Sequence, residues 1–244
     1  MGIPTPDRPH PLTGGHIPVT LGHEFCGRIK TAPSGSRLKE GQAVMVDPHI
    51  VCGNCHSCTT GKDHLCHQLA FMGSSGPEGG GGLSEFAAVD EHMLYPLPDN
   101  VSLQNAALIE PLVVAHHVVK AAGVKLEGLD VLIVGGGPIG YAMTSVLRAQ
   151  SVKRILMSEP TVKRREQARD LVERVIDPRT ESVGDTCRGL TSGKGVDVVF
   201  DCAGIQAGLE AALDALAYGG TFVNVAMWEK PVNQSVPEMW LTAD

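Results

Sequence analysis

From Asp130 onward, short apolar runs alternate with segments whose apolar positions recur at the one-sided spacing of a helix. The runs predict strands at Val131–Val134, Arg154–Ser158, Arg174–Ile176, Val196–Asp201 and Thr221–Val225. The segments between them predict helices at Pro138–Gln150, Val162–Val172, Ser182–Leu190 and Gln206–Ala217. In the first helix the apolar stripe is Ile139, Ala142, Met143, Val146 and Leu147. Strand–helix alternation of this kind predicts an α/β fold with a parallel, doubly wound sheet. The first half of the chain has another pattern. Residues 1–20, rich in Pro, Gly and Thr, predict an irregular lead-in, and a strand-like stretch follows Gly27. Leu83–Val89 and His92–Leu97 predict strands, and Ala106–Ala122 predicts one helix or two.

The first strand of the repeating half runs into Gly135, Gly137 and Gly140, which fit G-x-G-x-x-G between a strand and a helix. In that context the first glycine permits a tight turn. The second lets a pyrophosphate approach the backbone, and the third lets helix and strand pack closely. The helix N-terminus adds unpaired N–H groups and a positive dipole end. Glu159 ends the second strand, nineteen residues after Gly140, where a carboxylate would take adenosine ribose hydroxyls. A carboxylate there repels the extra phosphate of NADP and favours NAD. Lys163, Arg164 and Arg165 weaken that preference, since one of them could contact a 2′-phosphate; more simply, they are the solvated face of the next helix. A second glycine-rich stretch, Gly73–Gly82, has no Gly-Lys-Ser/Thr and no helix opening from it, so it is not a phosphate loop.

Composition narrows the classes. The 244 residues are 43% hydrophobic with mean hydropathy +0.03, a globular composition. A formal net charge of -7 without a basic stripe argues against nucleic acid as partner. No apolar run is long enough to span a bilayer, and the first ten residues lack the apolar core of a signal peptide. A cytoplasmic setting is therefore expected. Of the seven cysteines, Cys52, Cys55, Cys58 and Cys66 crowd together, which suggests a metal site in a reducing compartment and not a disulfide framework. Four thiolates at this spacing can close a tetrahedron on one zinc and fill every position, so this zinc is structural. His56, His64 and His67 then have no metal position and read as surface residues, and Cys26 reads as a small buried one.

Two further places carry candidate chemistry. His23-Glu24, set between Gly22 and Gly27, fits either a zinc-binding pair or a surface turn, and the turn is the simpler reading of these residues alone. Glu110 lies in the apolar run Ala-Ala-Leu-Ile-Glu-Pro-Leu-Val-Val, where burying a charge is costly unless it is paired or metal-bound. It fits equally a helix N-terminal carboxylate complementing the dipole, with Pro111 in the first turn. His116 and His117 read as packing or supporting residues.

Together these motifs resemble the zinc-dependent medium-chain alcohol and polyol dehydrogenases, in particular the 2,3-butanediol and sorbitol dehydrogenase branch. The residues that carry the resemblance are Leu21-Gly22-His23-Glu24 with Gly27, the four-cysteine lobe, Glu110-Pro111-Leu112, and Gly135 to Gly140 with Glu159. The resemblance implies a mostly-β GroES-like catalytic domain over residues 1–122, carrying the zinc lobe 52–66, and a Rossmann-like dinucleotide-binding domain over 123–244. It implies that His23 and Glu110 hold a catalytic zinc, with Glu24 contacting its water or, transiently, the metal. Gly135, Gly137, Pro138, Ile139 and Gly140 would cradle NAD, Glu159 and Arg164 would hold its adenosine end, and Val225–Met227 would lie near the nicotinamide. The implied partners are a small alcohol, diol or ketone, with L-threonine or sorbitol as the near alternatives, and a second copy in a dimer or tetramer. The family's cysteine ligand upstream of Gly-His-Glu has no counterpart, because no cysteine precedes Cys26. The chain also stops soon after its fifth Rossmann-like strand, so the resemblance implies shortening at both ends. A competing expectation is a non-catalytic NAD- and zinc-binding relative that acts through association.

Overall fold

Each half of the chain buries its apolar residues in its own core. In the computed structural model, which describes residues 8–76, 80–228 and 230–231, the chain forms two compact units that divide between Glu110 and Pro111. The sequence-based boundary at 122 falls one helix later. That helix carries Glu110 in its first turn, while Ala115 and Val119 further along it join the core of the second unit.

The second unit is a five-stranded parallel sheet. Before it come ten elements: β1 (Cys26–Arg28), β2 (Ala43–Val46), β3 (His49–Ile50), α1 (His56–Thr59), β4 (Ala70–Phe71), β5 (Leu94–Pro96), α2 (Leu103–Ala106) and α3 (Ile109–Ala121), with 3-10 turns at Asp63–Leu65 and Glu91–Met93. The sheet strands are β6 (Asp130–Val134), β7 (Arg154–Ser158), β8 (Arg174–Ile176), β9 (Val196–Asp201) and β10 (Leu216–Asn224). They lie in the order β10-β9-β6-β7-β8, and α4 (Pro138–Arg148), α5 (Val162–Ala168), α6 (Val183–Leu190) and α7 (Gln206–Ala215) connect them. The period of two in β6 explains the layering. Val131 and Ile133 pack with Met143 and Leu147 of α4 on one face, while Leu132 and Val134 pack with Val183, Cys187 and Ala212 on the other. All five residues of β6 are buried, and each large apolar side chain so placed contributes about 1.5–3 kcal/mol. The strand order reverses at β6, so the crevice beyond the carboxyl ends of β6 and β9 is the topological switch point where such sheets bind ligands.

Three predicted helices end early. Helix α5 stops at Ala168, and Arg148 takes the carbonyls of Asp170 and Leu171. Helix α4 ends at Arg148, two residues before the predicted end, with Ala149 as its cap. Helix α7 stops at Ala215, because Leu216 turns extended and pairs with Val196. Strand β10 therefore starts five residues before the predicted Thr221 and contains an irregularity between Leu216 and Thr221.

The first unit has an antiparallel sheet in the order β1-β2-β5 and a two-stranded pair β3–β4. Val44, Val46, Met72, Met93 and Leu94 form its core. The predicted strand Leu83–Val89 is not formed. The backbone N–H groups of Gly82 and Leu83 go to the carbonyls of Gly22 and Leu21, and the Ser84 hydroxyl donates to Gly81 and lies 2.8 Å from the Phe86 carbonyl, which bends the chain. The predicted strand His92–Leu97 is a 3-10 turn followed by β5. The first seven residues of the lead-in and residues 77–79 of the Gly73–Gly82 loop lie outside the described residues.

Candidate metal and dinucleotide sites

Cys52, Cys55, Cys58 and Cys66 bring their four sulfurs within 4.8 Å of one another. All are reduced. The Cys55–Cys58 and Cys52–Cys66 sulfur pairs are each 3.5 Å apart. A zinc with sulfur ligands at about 2.3 Å needs a tetrahedral edge of about 3.8 Å, so the donor set and its spacing fit zinc. Short helix α1 turns the chain between Cys55 and Cys58, and the N–H groups of Cys52 and Gln68 point at the Cys66 sulfur. Backbone N–H groups of Cys58 and His67 bring the Cys55 thiol down to about 6. Burial and the adjacent Cys55 sulfur push Cys58 up to about 12. A quartet of thiols in which one ionises readily and its neighbour resists is what a divalent cation relieves. His56, His64 and His67 are exposed around it.

The second cluster is built by a turn and a helix start within the first unit. Gly22, at φ +100°, sets the turn before His23. The Thr20–His23 segment is gripped by glycines: a Cβ at Gly73 would collide with the Gly22 carbonyl, and a Cβ at Gly81 with those of Thr20 and Leu21. The second glycine-rich stretch thus serves close backbone packing behind His23, at positions where no side chain fits. Glu110 comes from the first turn of α3. The ligand atoms of His23, Glu24 and Glu110 lie within 4.8 Å of one another. Burial raises the Glu110 carboxyl above its usual range and Glu24 adds to that, while the His23 and His49 imidazoles oppose it. One imidazole and two carboxylates this close suit a divalent metal of the zinc type. His116 and His117, expected to pack or support, are exposed on α3, because the buried stripe of that helix is Pro111, Ala115 and Val119. Cys26, expected buried, is partly exposed and donates to the Leu103 carbonyl at 3.1 Å.

The third site is the turn between β6 and α4. Gly135 has φ +96°, and a Cβ on Gly140 would collide with the Gly135 carbonyl. Gly137 caps α4 with no side-chain partner, and Pro138 takes the first helical position. Ile139 is partly buried and packs against the core below the loop. Glu159 is only 2% exposed. Its Oε2 accepts from Gly136 N–H and its Oε1 from Thr161 N–H, each at 2.7 Å. Burial works against its ionisation, but these N–H groups and Arg164 outweigh it and hold the carboxyl below the usual range. Arg164, half exposed, stands 3.8 Å from Glu159 and 3.9 Å from the place a Gly137 Cβ would occupy. Arg165 is instead tied to Asp177 at 2.9 Å. Val225–Met227 follow β10, where the N–H groups of Val225 and Ala226 bond to the Asp201 carbonyl.

Pattern reading missed two groups. Asp201, fully buried at the end of β9, accepts from Ala203 and Gly204 N–H through Oδ1, and its Oδ2 has no partner. It shapes the turn whose Ala203 abuts Gly135. The only signal was an acidic residue closing a buried strand. The other is the pair Asp47 and His49, whose Asp-Pro-His sequence carried no metal or nucleotide motif.

Residues 2–99 match the family model of the alcohol dehydrogenase GroES-like domain, and residues 138–243 match that of zinc-binding dehydrogenases. The chain is 36% identical over 238 residues to an (R,R)-butanediol dehydrogenase of Neisseria gonorrhoeae, covering 96% of this chain and 66% of that protein. The crystal structure of 2R,3R-butanediol dehydrogenase from Bacillus subtilis superposes with a TM-score of 0.84 at 34% identity, covering 96% of this chain and 65% of the other. A dehydrogenase from Sinorhizobium meliloti 1021, assigned as zinc-binding and solved with NADP, gives 0.84 at 29% identity, over 92% of this chain and 66% of that one. The chain thus spans just under two thirds of these relatives' length. With GroES-like and Rossmann-type halves both matched, the chain belongs to the zinc-dependent medium-chain alcohol and polyol dehydrogenases.

Proposed function

We propose that the chain is a zinc-dependent oxidoreductase that moves a hydride between a secondary alcohol or diol, of the 2,3-butanediol or polyol type, and NAD. The observation that carries the reading is the convergence of His23, Glu24 and Glu110 within 4.8 Å, in a chain similar to butanediol dehydrogenases. Zinc, when bound, supplies a Lewis acid that lowers the pKa of a hydroxyl at neutral pH. His23 and Glu110 hold it in this reading. Glu24, within 4.8 Å of both, contacts the zinc-bound water or, transiently, the metal. Cation binding would also relieve the burial that raises Glu110 and the repulsion from Glu24. The Cys52/Cys55/Cys58/Cys66 lobe holds a second, structural zinc.

Gly135, Gly137, Pro138, Ile139 and Gly140 receive the pyrophosphate at the start of α4, and Glu159 and Arg164 border the adenosine end. Val225–Met227 border the nicotinamide. The Glu159 carboxylate supports NAD. The Sinorhizobium dehydrogenase, solved with NADP, and the exposed Arg164 make NADP the necessary comparison. Seven reduced cysteines suit a cytoplasmic setting, and among the described residues no helix is long and apolar enough to cross a membrane. Association into a dimer or tetramer is part of the same reading.

The test combines zinc analysis with NADH formation from a panel of diols, polyols and L-threonine, using NAD and NADP. The expected result is one zinc beyond the lobe's own, lost in His23→Ala, with oxidation of vicinal diols by NAD. A single zinc per chain and NAD binding without alcohol-dependent NADH would refute the proposal in favour of a non-catalytic relative. Light scattering on the same preparation reads the oligomeric state.

A further inference from the structure

We propose that the Asp47–His49 pair is the proton acceptor of the His23/Glu24/Glu110 site, with Asp47 orienting the imidazole and Nε2 of His49 receiving the proton that alcohol oxidation releases. This rests on the dehydrogenase reading and gives a role to two residues that reading leaves unused.

The geometry is local and specific. Asp47 Oδ1 lies 2.5 Å from His49 Nδ1 and also accepts the His49 backbone N–H at 3.1 Å. One carboxylate oxygen therefore fixes both the backbone and the ring of a residue two positions on. With Nδ1–H donated to Asp47, Nε2 carries the lone pair. A carboxylate holding the far nitrogen of an imidazole whose near nitrogen takes a proton is a general way to build a base.

Placement connects this base to the metal-ligand cluster. His49 opens β3 and is in register with Phe71 of β4. Its ring centroid is 4.9 Å from that of Phe71, and the same Phe71 ring makes a T-shaped contact with His23 at 5.9 Å between centroids. Both imidazoles thus pack on one aromatic ring. The His49 side chain is 37% exposed, so water can carry a proton away from it.

The charged surroundings favour a protonatable His49. Its hydrogen bond to Asp47 raises its affinity for a proton, against some burial, and the charges of Asp47 and Glu110 add to the effect. On the other side, His49 holds Asp47 below its usual carboxylate range, with His92 of the 3-10 turn contributing. His23 and Glu24 border Glu110 from the turn after Gly22.

The reaction releases one proton, which such a group can take. Oxidation of a secondary alcohol breaks one C–H and one O–H bond. The hydride leaves with both C–H electrons for the nicotinamide. The O–H electron pair becomes the second carbon–oxygen bond of the ketone. The proton passes through water to His49 Nε2 and then to solvent. General base assistance of this kind contributes about 10²–10⁴-fold.

The experiment uses the zinc-loaded full chain with His49→Gln and Asp47→Asn. In His49→Gln, zinc content and NAD affinity should stay as in the parent, while kcat for diol oxidation at neutral pH falls by about 100-fold or more. Its rate should climb with pH where the parent levels off. In Asp47→Asn the rising limb should move to lower pH. Imidazole nitrogen NMR provides a readout without turnover: the parent should show the Nδ1–H tautomer, and Asp47→Asn should lower the pKa of His49. A His49→Gln chain with the parent's pH profile overturns the proposal. So does loss of a zinc equivalent in His49→Gln, which would make His49 a ligand, or the Nε2–H tautomer in the parent. If His49→Gln does not fold, the Asp47→Asn profile and the NMR titration decide. A parent chain that forms no NADH with any secondary alcohol removes the dehydrogenase reading and the acceptor with it. An active parent with an indifferent His49 removes the acceptor alone.

Discussion

Replacing Glu159 separates its role under the dinucleotide loop from a role in reading the ribose. Its carboxylate is 2% exposed and accepts from Gly136 and Thr161 at 2.7 Å each. Gly136 is buried, whereas Thr161 is exposed. Glu159→Ala therefore strands one donor away from water, at about 1–3 kcal/mol, while the Thr161 N–H can turn to solvent. A central value of about 2 kcal/mol, with a urea slope of about 2–3 kcal/mol per M, lowers the midpoint by roughly 1 M. Glu159→Gln keeps an oxygen for Gly136 and should cost under about 1 kcal/mol. Urea denaturation followed by circular dichroism measures both. The acid limb supplies a second check. The folded pKa of Glu159 lies below the usual value, so its contribution is full above the unfolded value of about 4.3. It is lost as pH falls through the folded pKa. The gap between parent and Glu159→Ala should therefore close in acid. Equal midpoints for parent and Glu159→Ala at neutral pH, or equal losses in the Ala and Gln variants, would refute the reasoning.

Other outcomes follow from the same geometry. Gly140→Ala puts a methyl onto the Gly135 carbonyl; overpacking costs about 1–3 kcal/mol, and calorimetric NAD titration should show binding lost or weakened with it. Cys55→Ser should release the lobe's zinc, detected by a colorimetric chelator, and leave the zinc proposed at His23 and Glu110 in place. Ser182 accepts from Asp185 N–H at the start of α6, so Ser182→Ala should lower thermal stability by about 1 kcal/mol without changing NAD affinity.

Much of this protein was legible because its signals are local. The strands Arg154–Ser158 and Val196–Asp201 appear at the residues read from their mostly apolar runs, as expected of central strands covered on both faces, and the edge strand Arg174–Ile176 also appears as read. The G-x-G-x-x-G turn was equally readable, because only glycine tolerates the φ of Gly135 and the contact at Gly140. The four cysteines carry their spacing within a single loop, so their convergence is a short-range property.

What depends on distant segments had to wait for the tertiary structure. His23 and Glu24 alone read as well as a surface turn, and Glu110 as a dipole partner; only the folding of the first unit brings them within 4.8 Å. The strand predicted at Leu83–Val89 fails because residues 82 and 83 bond to residues 21 and 22, a pairing no local pattern encodes. The place of Glu159 at a strand end is local, but its bonds to the Gly136 and Thr161 N–H groups are visible only in the fold. His49 gained its meaning from Phe71, twenty-two positions away, and from His23, which packs on the same ring. Periodicity and glycine stereochemistry act over a few residues and are written in the sequence. The meeting of charges and rings is set by long-range packing, and only the folded chain decides it.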